Sequence, residues 1–382
     1  MKKQKICIIG GGLTGLITAL KLSKLNVSID LIVSNIDQSL KSSRTTAISQ
    51  ENFDFLNKLN IFKSKKKEFW PCTKMQLYSE NKNEKFLKIF ELNNENKKKK
   101  ILYMMENSKI MKFAKNEIKN TKSISVKDYK DISEINVSGF MQSVKYGNNT
   151  SKYNLVIICT GHKSALIKNI FNEKIIENSY KELAITAILS HHSCKNNIAR
   201  QIFLEDEILA LLPISNTKTS IVWSVKKDMR KKNNLFLKRR IAFYTKNYLK
   251  NVKFETCIEF KELNFLIRRK YHLDRTLLFG DAIHTIHPFV GQGFNMTLRD
   301  LASLEKVLTQ KINLGLDIGS SDTLSEFSNE VKPRNFAFSI GTDFLKNSFS
   351  YKKLRNEMLK ILNKSNFAKD ICFNIANKGF RF

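Results

Sequence analysis

Short apolar runs, each ended by a glycine or a polar residue, recur along the chain and predict buried strands. They cover residues 5–9, 28–33, 153–159 and 276–279. After the first run the apolar positions change to helical spacing, over residues 16–22. Buried strands that alternate with helical segments predict an α/β fold of the Rossmann type.

The first strand leads directly into the pattern Gly-x-Gly-x-x-Gly, which opens the first predicted helix. Gly10 permits a tight turn, Gly12 lets the backbone approach a pyrophosphate, and Gly15 lets the helix pack closely on the strand. Leu13 and Thr14 lie between these glycines, so we place them in the same site. Because the motif has a strand before it and a helix after it, it predicts a dinucleotide site.

A second candidate site segment follows the strand at residues 276–279. Gly280 ends that strand, and Asp281 is therefore held at a strand end, where α/β proteins bind ligands. A Gly-Gln-Gly turn at residues 291–293 leads into a helix from about Asn295, whose free N–H groups favour electron-rich atoms. This corner suits a flat ligand with polar edges.

The second strand ends without the acid that usually holds an adenosine ribose. It ends in Val33, Ser34 and Asn35, with Asp37 just beyond it and Asp30 inside it. Either Asp37 folds back to the ribose, or Ser34 and Asn35 supply neutral hydrogen bonds. Both alternatives remain open at the level of sequence.

Segments with alternating or β-branched residues predict a second, mixed sheet. They lie at residues 73–79, 184–190, 201–204 and 209–225, and past residue 315 the pattern becomes helical. The two sheets use interleaved parts of the chain, with the ligand between them. The predicted division is a discontinuous dinucleotide-binding domain of residues 1–70, 101–170 and 265–315, a substrate domain of residues 71–100 and 171–264, and a C-terminal helical region of residues 316–382.

Composition and charge narrow the class of protein. The chain has 382 residues, 42% of them hydrophobic, which suffices for two domains with buried cores. The formal net charge is +31, but the lysines are spread along the chain without zinc-finger spacing, a helix-turn-helix or an aromatic platform. We therefore predict no nucleic-acid partner, and we expect the basic surface to attract anionic lipid headgroups.

The sequence also predicts a cytoplasmic location. No run of residues approaches the roughly 20 apolar residues of a membrane-spanning helix. The N-terminal residues form the first predicted strand and lack the pattern of a signal peptide. Six cysteines without C-x-x-C spacing are typical of reduced structural thiols.

The two glycine segments and a set of shorter ones, in this order, resemble the FAD-dependent aromatic hydroxylases of ubiquinone biosynthesis, a branch of the para-hydroxybenzoate hydroxylase type. The resemblance extends over most of the chain. The shorter segments are residues 44–49 (Arg-Thr-Thr-Ala-Ile-Ser), 70–71 (Trp-Pro) with Met75, 105–107 (Met-Glu-Asn), 199–203 (Ala-Arg-Gln-Ile-Phe), 212–214 (Leu-Pro-Ile), 220–223 (Ser-Ile-Val-Trp), 295–300 (Asn-Met-Thr-Leu-Arg-Asp) and 341–343 (Gly-Thr-Asp).

The resemblance implies a cofactor, a reaction and a set of partners. It implies FAD as cofactor, NAD(P)H and O2 as co-substrates, and hydroxylation of a polyprenyl phenol or quinol through a flavin C4a-hydroperoxide. It also implies peripheral contact with the inner face of the cytoplasmic membrane and contacts with a quinone-biosynthesis complex.

The resemblance implies roles for single residues as well. Asp281 would hold the ribityl chain, Arg44 would help to hold the flavin, and His287 with Pro288 would form the ceiling where ring and substrate meet. The catalytic set is His287, Pro288, Gly291, Gln292 and Gly293. The cofactor-binding set is Gly10, Gly12, Leu13, Thr14, Gly15, Arg44, Thr160, Gly161, Gly280, Asp281, Gly293, Phe294 and Asn295.

Two positions depart from the family pattern. Thr160 precedes Gly161 where the family has an acid that orients phosphates, and Thr297 stands where it has glycine. The neutral Thr160 supports an alternative function, a flavin-binding scaffold of a quinone-biosynthesis complex. A second alternative is a flavin hydroxylase of a small soluble aromatic.

Other chemistries fit the sequence less well. Asp281, His284 and His287 have the spacing of metal ligands, but they fall in a predicted irregular loop, and a metal site needs three or four converging ligands. A hydrolase would need a G-x-S-x-G elbow, which the sequence lacks. A dehydrogenase that uses only a nicotinamide would leave residues 280–295 unexplained. We therefore predict no metal site.

Overall fold

The structure is a computed structural model. Asn35 and Asp37, which the sequence offered for a ribose contact, lie outside the described residues, as do Phe289 and Val290 before the glycine turn. The described residues are 3–34, 42–59, 65–81, 85–93, 100–128, 132–173, 175–288 and 291–379.

Strands make up most of the regular structure before residue 290, and helices make up the rest of the chain. The strands are β1 (Gln4–Ile9), β2 (Val27–Val33), β3 (Thr45–Ser49), β4 (Trp70–Cys72), β5 (Lys74–Glu80), β6 (Phe86–Asn93), β7 (Leu102–Glu106), β8 (Ile124–Asp128), β9 (Ile132–Ser138), β10 (Met141–Tyr146), β11 (Asn149–Tyr153), β12 (Leu155–Ile158), β13 (Ile176–Ser190), β14 (Ile198–Phe203), β15 (Ile208–Pro213), β16 (Lys218–Lys226), β17 (Lys253–Phe254), β18 (Glu259–Ile267), β19 (His272–Leu273), β20 (Thr276–Leu278) and β21 (His284–Thr285). The helices are α1 (Leu13–Leu22), α2 (Gln50–Asn57), α3 (Asn107–Lys119), α4 (Ala165–Ile170), α5 (Asn234–Thr245), α6 (Gly293–Asn313), α7 (Ser321–Ser348), α8 (Lys352–Lys364) and α9 (Asn366–Lys378).

The first strand lies inside a six-stranded sheet with the order β19-β20-β12-β1-β2-β8. Neighbours pair in parallel, except that β19 runs antiparallel to β20. Residues of α1, α3, α6 and the meander β9–β11 pack around this sheet in one core, which explains why its strands are continuous apolar runs. The carboxyl ends of β1, β12 and β20 meet at one edge, so the Rossmann-type prediction is confirmed.

Asp30 is a structural residue of this sheet. Its carboxylate is buried, accepts a hydrogen bond from the Tyr153 hydroxyl at 2.8 Å and pairs with the Lys5 ammonium at 2.8 Å. A buried carboxylate needs such partners because isolated charge is costly away from water. Asp30 therefore ties β2 to β1 and β11.

The second large sheet has the order β21-β18-β13-β16-β15-β14-β5-β6, and β17 also pairs with β13. Most neighbours are antiparallel, but β14 and β5 are parallel, so the sheet is mixed as predicted. On one face Ile202, Trp223 and the apolar side of α5 form a core. Because successive side chains of a strand point to opposite faces, Gln201 and Val222 belong to the other face.

The small sheet β3-β7-β4 and the C-terminal helices complete the fold. Helix α7 packs on α6, α8 packs on β6, and α9 contacts both α8 and α2, so the C-terminal helical segment is confirmed. Strand β18 belongs to the mixed sheet and continues to Ile267, past the predicted limit of the substrate domain at residue 264. In the part of the chain that the structure describes, no helix has both the length and the apolar character needed to cross a bilayer.

Candidate functional site

A cavity of about 830 Å³ lies between the carboxyl edge of the six-stranded sheet and one face of the mixed sheet. Its volume is within the range of cofactor sites. Most of the residues that the sequence assigned to the site line it. They are Gly10, Gly12, Leu13, Thr14, Arg44, Thr160, Gly161, Asp281, Pro288, Gly291, Gly293 and Phe294.

Gly15 and Gly280 lie behind the wall of this cavity and hold it together. A Cβ atom on Gly15 would stand 1.9 Å from the Gly10 carbonyl oxygen, so only glycine lets α1 approach the end of β1 this closely. Gly280 has a φ of +65°, and a Cβ there would stand 2.7 Å from Cγ2 of Thr14. Thr14 therefore packs on Gly280 and joins the N-terminal motif to the Asp281 segment.

Arg44 reaches the cavity from a segment that docks on the mixed sheet. The backbone N–H of Ser43 donates to Oε1 of Glu259 at 2.6 Å, and its hydroxyl lies 3.0 Å from that of Thr186. The Ser42 hydroxyl accepts hydrogen bonds from the backbone N–H and Nε of Arg44, at 3.2 Å and 3.1 Å. These contacts fix a permanent positive charge between the two sheets.

Lys261 of β18 is a lining residue that the sequence analysis missed. Burial lowers the pKa of its ammonium, the positive charges of Arg44 and Lys163 lower it further, and Asp281 opposes them. Alternation along β18 was the signal available, because it places Glu259, Lys261 and Leu263 on one face. Lys261 brings a second cation close to Arg44 and to the carboxylate of Asp281.

Several polar atoms on the cavity wall are buried and have no hydrogen-bond partner among the described residues. They include atoms of Thr45 (Oγ1), His162 (Nε2), Arg200 (Nε), Gln201 (Nε2) and His284 (Nδ1). Buried polar atoms are normally paired, so their convergence on one cavity indicates a ligand with polar edges. Cβ atoms at Gly12 and Gly293 would meet nothing within 4 Å, so bare backbone faces open space there. These features fit FAD.

Asn295 stands behind the glycine turn, and neighbouring residues engage both its amide nitrogen and its amide oxygen. Its amide donates to the carbonyl oxygens of Ala47 at 2.8 Å and Gly291 at 3.2 Å. Its oxygen accepts from the Ser49 N–H at 3.0 Å and the Asn52 amide at 2.9 Å. Asn295 does not line the cavity. Its side chain fixes the turn and the start of α6 against β3 and α2.

We expect Asn295→Ala to lower the free energy of unfolding by about 2–4 kcal/mol, because it leaves several buried groups unpaired. Urea unfolding followed by circular dichroism measures this loss. Asn329→Ala, at an exposed position of α7, is the control and should change stability by less than about 0.5 kcal/mol. An Asn295→Ala protein as stable as the control would refute the bracing role.

His287 points away from the cavity, whereas its neighbour Pro288 lines it. Nε2 of His287 lies 3.2 Å from Oε2 of Glu182, and the ring meets the Tyr180 ring edge to face at 5.1 Å between centroids. Lys346 of α7 pairs with the other oxygen of Glu182 at 2.6 Å. Burial lowers the pKa of His287. Of the two residues expected to form the ceiling, Pro288 lines the cavity, whereas His287 ties its loop to β13 and α7.

His284 and Gln292, on either side of His287 in the sequence, are also buried. His284 lies 3.0 Å from the carboxylate of Asp300, which also accepts from the Asn335 amide at 2.9 Å. Both amide atoms of Gln292 are buried without a partner among the described residues, yet Gln292 does not line the cavity. In the described ranges no group of His, Cys, Asp or Glu side chains is arranged to hold a metal ion.

Comparison with known proteins agrees with this geometry. The FAD binding domain family matches residues 3–335. The mitochondrial ubiquinone biosynthesis monooxygenase COQ6 of Dictyostelium discoideum is 22% identical, over 97% of this chain and 90% of that protein. The ubiquinone hydroxylase UbiL of Rhodospirillum rubrum is 29% identical over 45% of this chain and 41% of its own. Matches to four vertebrate COQ6 proteins span about half of those proteins.

The fold also has close counterparts among solved structures. The p-nitrophenol 4-monooxygenase PnpA of Pseudomonas putida superposes with a TM-score of 0.80 over all of this chain and 99% of its own, at 16% identity. That identity shows a shared fold alone. The resemblance to ubiquinone-biosynthesis hydroxylases that the ordered motifs predicted is confirmed by the named relatives. The chain belongs to the FAD binding domain family, and it is an FAD-dependent aromatic-ring monooxygenase.

Proposed function

We propose that this protein hydroxylates the aromatic ring of a polyprenyl phenol or quinol in ubiquinone biosynthesis, with NAD(P)H and O2 as co-substrates. The observation that carries the proposal is the contrast between the two walls of one cavity. One wall is glycine-rich backbone with Arg44 and Asp281, and it suits a dinucleotide. The opposite wall has an apolar end that suits a hydrocarbon-bearing ring. The apolar residues there are Met75, Leu102, Ala184, Ala199, Ala210, Leu212 and Val222.

FAD, when bound here and reduced by NAD(P)H, supplies the activation of O2 that places one oxygen atom on an electron-rich ring. The protein must bind, orient and exclude water. Gly12 and the start of α1 present backbone N–H groups to a pyrophosphate, and the carboxylate of Asp281 is placed to accept from sugar-chain hydroxyls. Gly293 and Phe294 start α6, whose first N–H groups favour negative charge on a reduced ring.

The apolar wall has two tasks in this proposal. Three alanines, at positions 184, 199 and 210, leave room for a planar ring beside Val222 and Leu212. The same side chains exclude water, which would otherwise compete with the ring for the activated oxygen. Arg44 and Lys261 stand at the boundary between the two walls, where positive charge stabilises a reduced cofactor.

The names of the relatives favour the polyprenyl substrate over a small soluble aromatic. The proposal then places the protein at the inner face of the cytoplasmic membrane as a peripheral protein, where a polyprenyl substrate is dissolved. Its net charge of +31 supports this location, since each basic residue near an anionic surface contributes about 1 kcal/mol. On α7, Phe336, Ile340 and Phe344 form an exposed apolar stripe at four-residue spacing.

We expect the protein to sediment with vesicles that contain anionic phosphatidylglycerol and to remain in solution with pure phosphatidylcholine vesicles. The interaction should weaken as salt is raised, because surface charge is screened. Phe344→Ser should reduce sedimentation, whereas Leu87→Ser, an exposed apolar residue on β6, should not. Equal sedimentation with both lipid compositions would argue against an electrostatic membrane contact.

A cellular experiment tests the proposed reaction. Cells that lack this protein should accumulate one polyprenyl phenol or quinol, and the structure of that compound identifies the ring position that is not hydroxylated.

A second experiment uses the purified FAD-loaded protein. A polyprenyl phenol should accelerate reduction of the flavin by NADPH or NADH in stopped-flow absorbance. If the phenol accelerates reduction by neither nicotinamide, the neutral Thr160 on the cavity wall would favour a flavin-binding scaffold instead.

A further inference from the structure

We propose that Gln201 binds the ring oxygen of the substrate and thereby sets which ring carbon faces the flavin. This inference rests on the proposed function, because it assumes that an oxygenated aromatic ring enters the cavity. It assigns a specificity-determining role to a side chain on the wall opposite the dinucleotide motif.

The strand pattern fixes the direction of Gln201. It lies on β14, between Arg200 and Ile202, and pairs with Ala210 of β15 and Leu77 of β5. Ile202 packs in the core beneath the sheet with Trp223. Gln201 therefore projects from the opposite face, and it lines the cavity there.

The surroundings of Gln201 contain little for its amide to bind. Met75, Ala199, Ala210, Leu212 and Val222 line the same end of the cavity, and their side chains offer no strong donor or acceptor. Gln201 is 5% exposed, and its Nε2 has no hydrogen-bond partner among the described residues.

Three other polar groups on the mixed-sheet wall are already engaged, and the guanidinium of Arg200 lies over the Tyr248 ring, on the face of the sheet that carries the Trp223 core. The Thr186 hydroxyl is in contact with the Ser43 hydroxyl at 3.0 Å, and Glu259 accepts from the Ser43 N–H at 2.6 Å. Lys261 lies near Arg44 and Asp281, at the boundary with the dinucleotide wall. Gln201 is thus the side chain on this wall whose unpaired donor lies within the apolar end.

An unpaired buried donor costs free energy that a ligand acceptor would recover. A phenol oxygen or a quinone carbonyl is such an acceptor, and the neighbouring alanines leave space for the ring that carries it. A hydrogen bond to one ring oxygen, with the ring packed on the apolar side chains, restricts which ring carbon faces the cofactor side. A site that hydrogen-bonds a substrate oxygen discriminates strongly against an analogue that lacks it.

The test compares two ligands and three proteins, all loaded with FAD. The ligands are a phenol with a short prenyl tail and the prenylated benzene that lacks the ring oxygen. The proteins are the wild type, Gln201→Met, which keeps the volume and removes the donor, and Gln142→Met. Gln142 of β10 is a matched control, because it is also buried with an unpaired amide atom but does not line the cavity. Gln201→Leu serves if the methionine variant does not retain FAD.

Binding is measured by the change in flavin absorbance, and products are separated by chromatography. We expect Gln201→Met to weaken phenol binding by about 10–100-fold and to leave the affinity for the deoxygenated analogue unchanged. We also expect a mixture of hydroxylated isomers and more H2O2 per NAD(P)H oxidised. Gln142→Met should behave as the wild type.

An unchanged preference for the phenol over its analogue in Gln201→Met would overturn the inference. So would weaker binding of both ligands by the same factor, which would indicate lost packing and not a lost hydrogen bond. A wild type that binds the phenol but never hydroxylates it would count against the proposed function, while the ratio of the two binding constants would still decide the role of Gln201.

Discussion

Asp281→Ala should give a folded protein that purifies largely without flavin. Asp281 lies just past the carboxyl end of β20, lines the cavity and is exposed to it, so its removal opens no hole in the core. A carboxylate that accepts from sugar-chain hydroxyls contributes about 1.5–3 kcal/mol per hydrogen bond, and two such bonds would be worth more than 100-fold in affinity. The ratio of flavin to protein absorbance after gel filtration measures the loss.

Two further variants sharpen this measurement. Asp281→Asn keeps the shape and one acceptor, so its flavin content should lie between those of Asp281→Ala and the wild type. Asp370→Ala removes an exposed acid from α9 and should retain full flavin. Unfolding curves should be alike for all of the flavin-free proteins. Full flavin in Asp281→Ala would remove Asp281 from the cofactor site.

Gly15→Ala should be the most damaging of the single-methyl substitutions in the glycine motif. The added Cβ would stand 1.9 Å from the Gly10 carbonyl oxygen, so α1 would have to move away from the end of β1. Overpacking in a close-packed core costs about 1–3 kcal/mol, and a clash with rigid backbone lies at or above the upper end. We expect low soluble yield, a lower urea midpoint and little bound FAD.

Gly12→Ala provides the matched control, since its Cβ would meet no protein atom within 4 Å. The chain should fold with nearly normal stability, but the methyl group would occupy the space through which a pyrophosphate approaches. Gly15→Ala should therefore lower both stability and FAD affinity, whereas Gly12→Ala should lower FAD affinity alone. Wild-type stability in Gly15→Ala, or wild-type FAD affinity in Gly12→Ala, would contradict the arrangement of the motif.

The six-stranded sheet could be predicted because strands that are buried on both faces are continuous apolar runs in the sequence. Its strands β1, β2, β12 and β20 fall within or close to the predicted segments. Strand β18 was not predicted, because Glu259, Lys261 and Glu262 interrupt its apolar positions. Those charges are tolerated since one face of the strand borders the cavity and the fold gives them partners, such as Ser43 for Glu259.

Most of the positions that line the cavity could be predicted from the sequence, but the direction of several side chains could not. His287 and Pro288 are adjacent in sequence, yet only Pro288 lines the cavity, because the contact with Glu182 of β13 turns the imidazole away. Asn295 follows the glycine turn as expected, but its side-chain amide is hydrogen-bonded to residues of β3 and α2. The directions of these side chains depend on contacts between residues far apart in the chain.

The unpaired amide of Gln201 also could not be predicted from the local sequence. Its short segment was recognisable from the family order, but nothing local distinguishes a buried unpaired amide from one that meets water or a neighbour. The distinction arises because β15 and β16 contribute only Ala210, Leu212 and Val222 to its surroundings. His162 likewise could be recognised as a cavity residue only once both sheets were in place.

The most direct test of FAD-dependent hydroxylation is to supply isotopically labelled O2 to the purified protein with FAD, NAD(P)H and a polyprenyl phenol. Mass spectrometry of the product, with NAD(P)H oxidation followed in parallel, gives the origin of the new oxygen and the stoichiometry. We predict one labelled oxygen atom in the ring for each NAD(P)H oxidised in coupled turnover. A hydroxyl oxygen that comes from water, or NAD(P)H oxidation that yields only H2O2 and unmodified phenol, would contradict it.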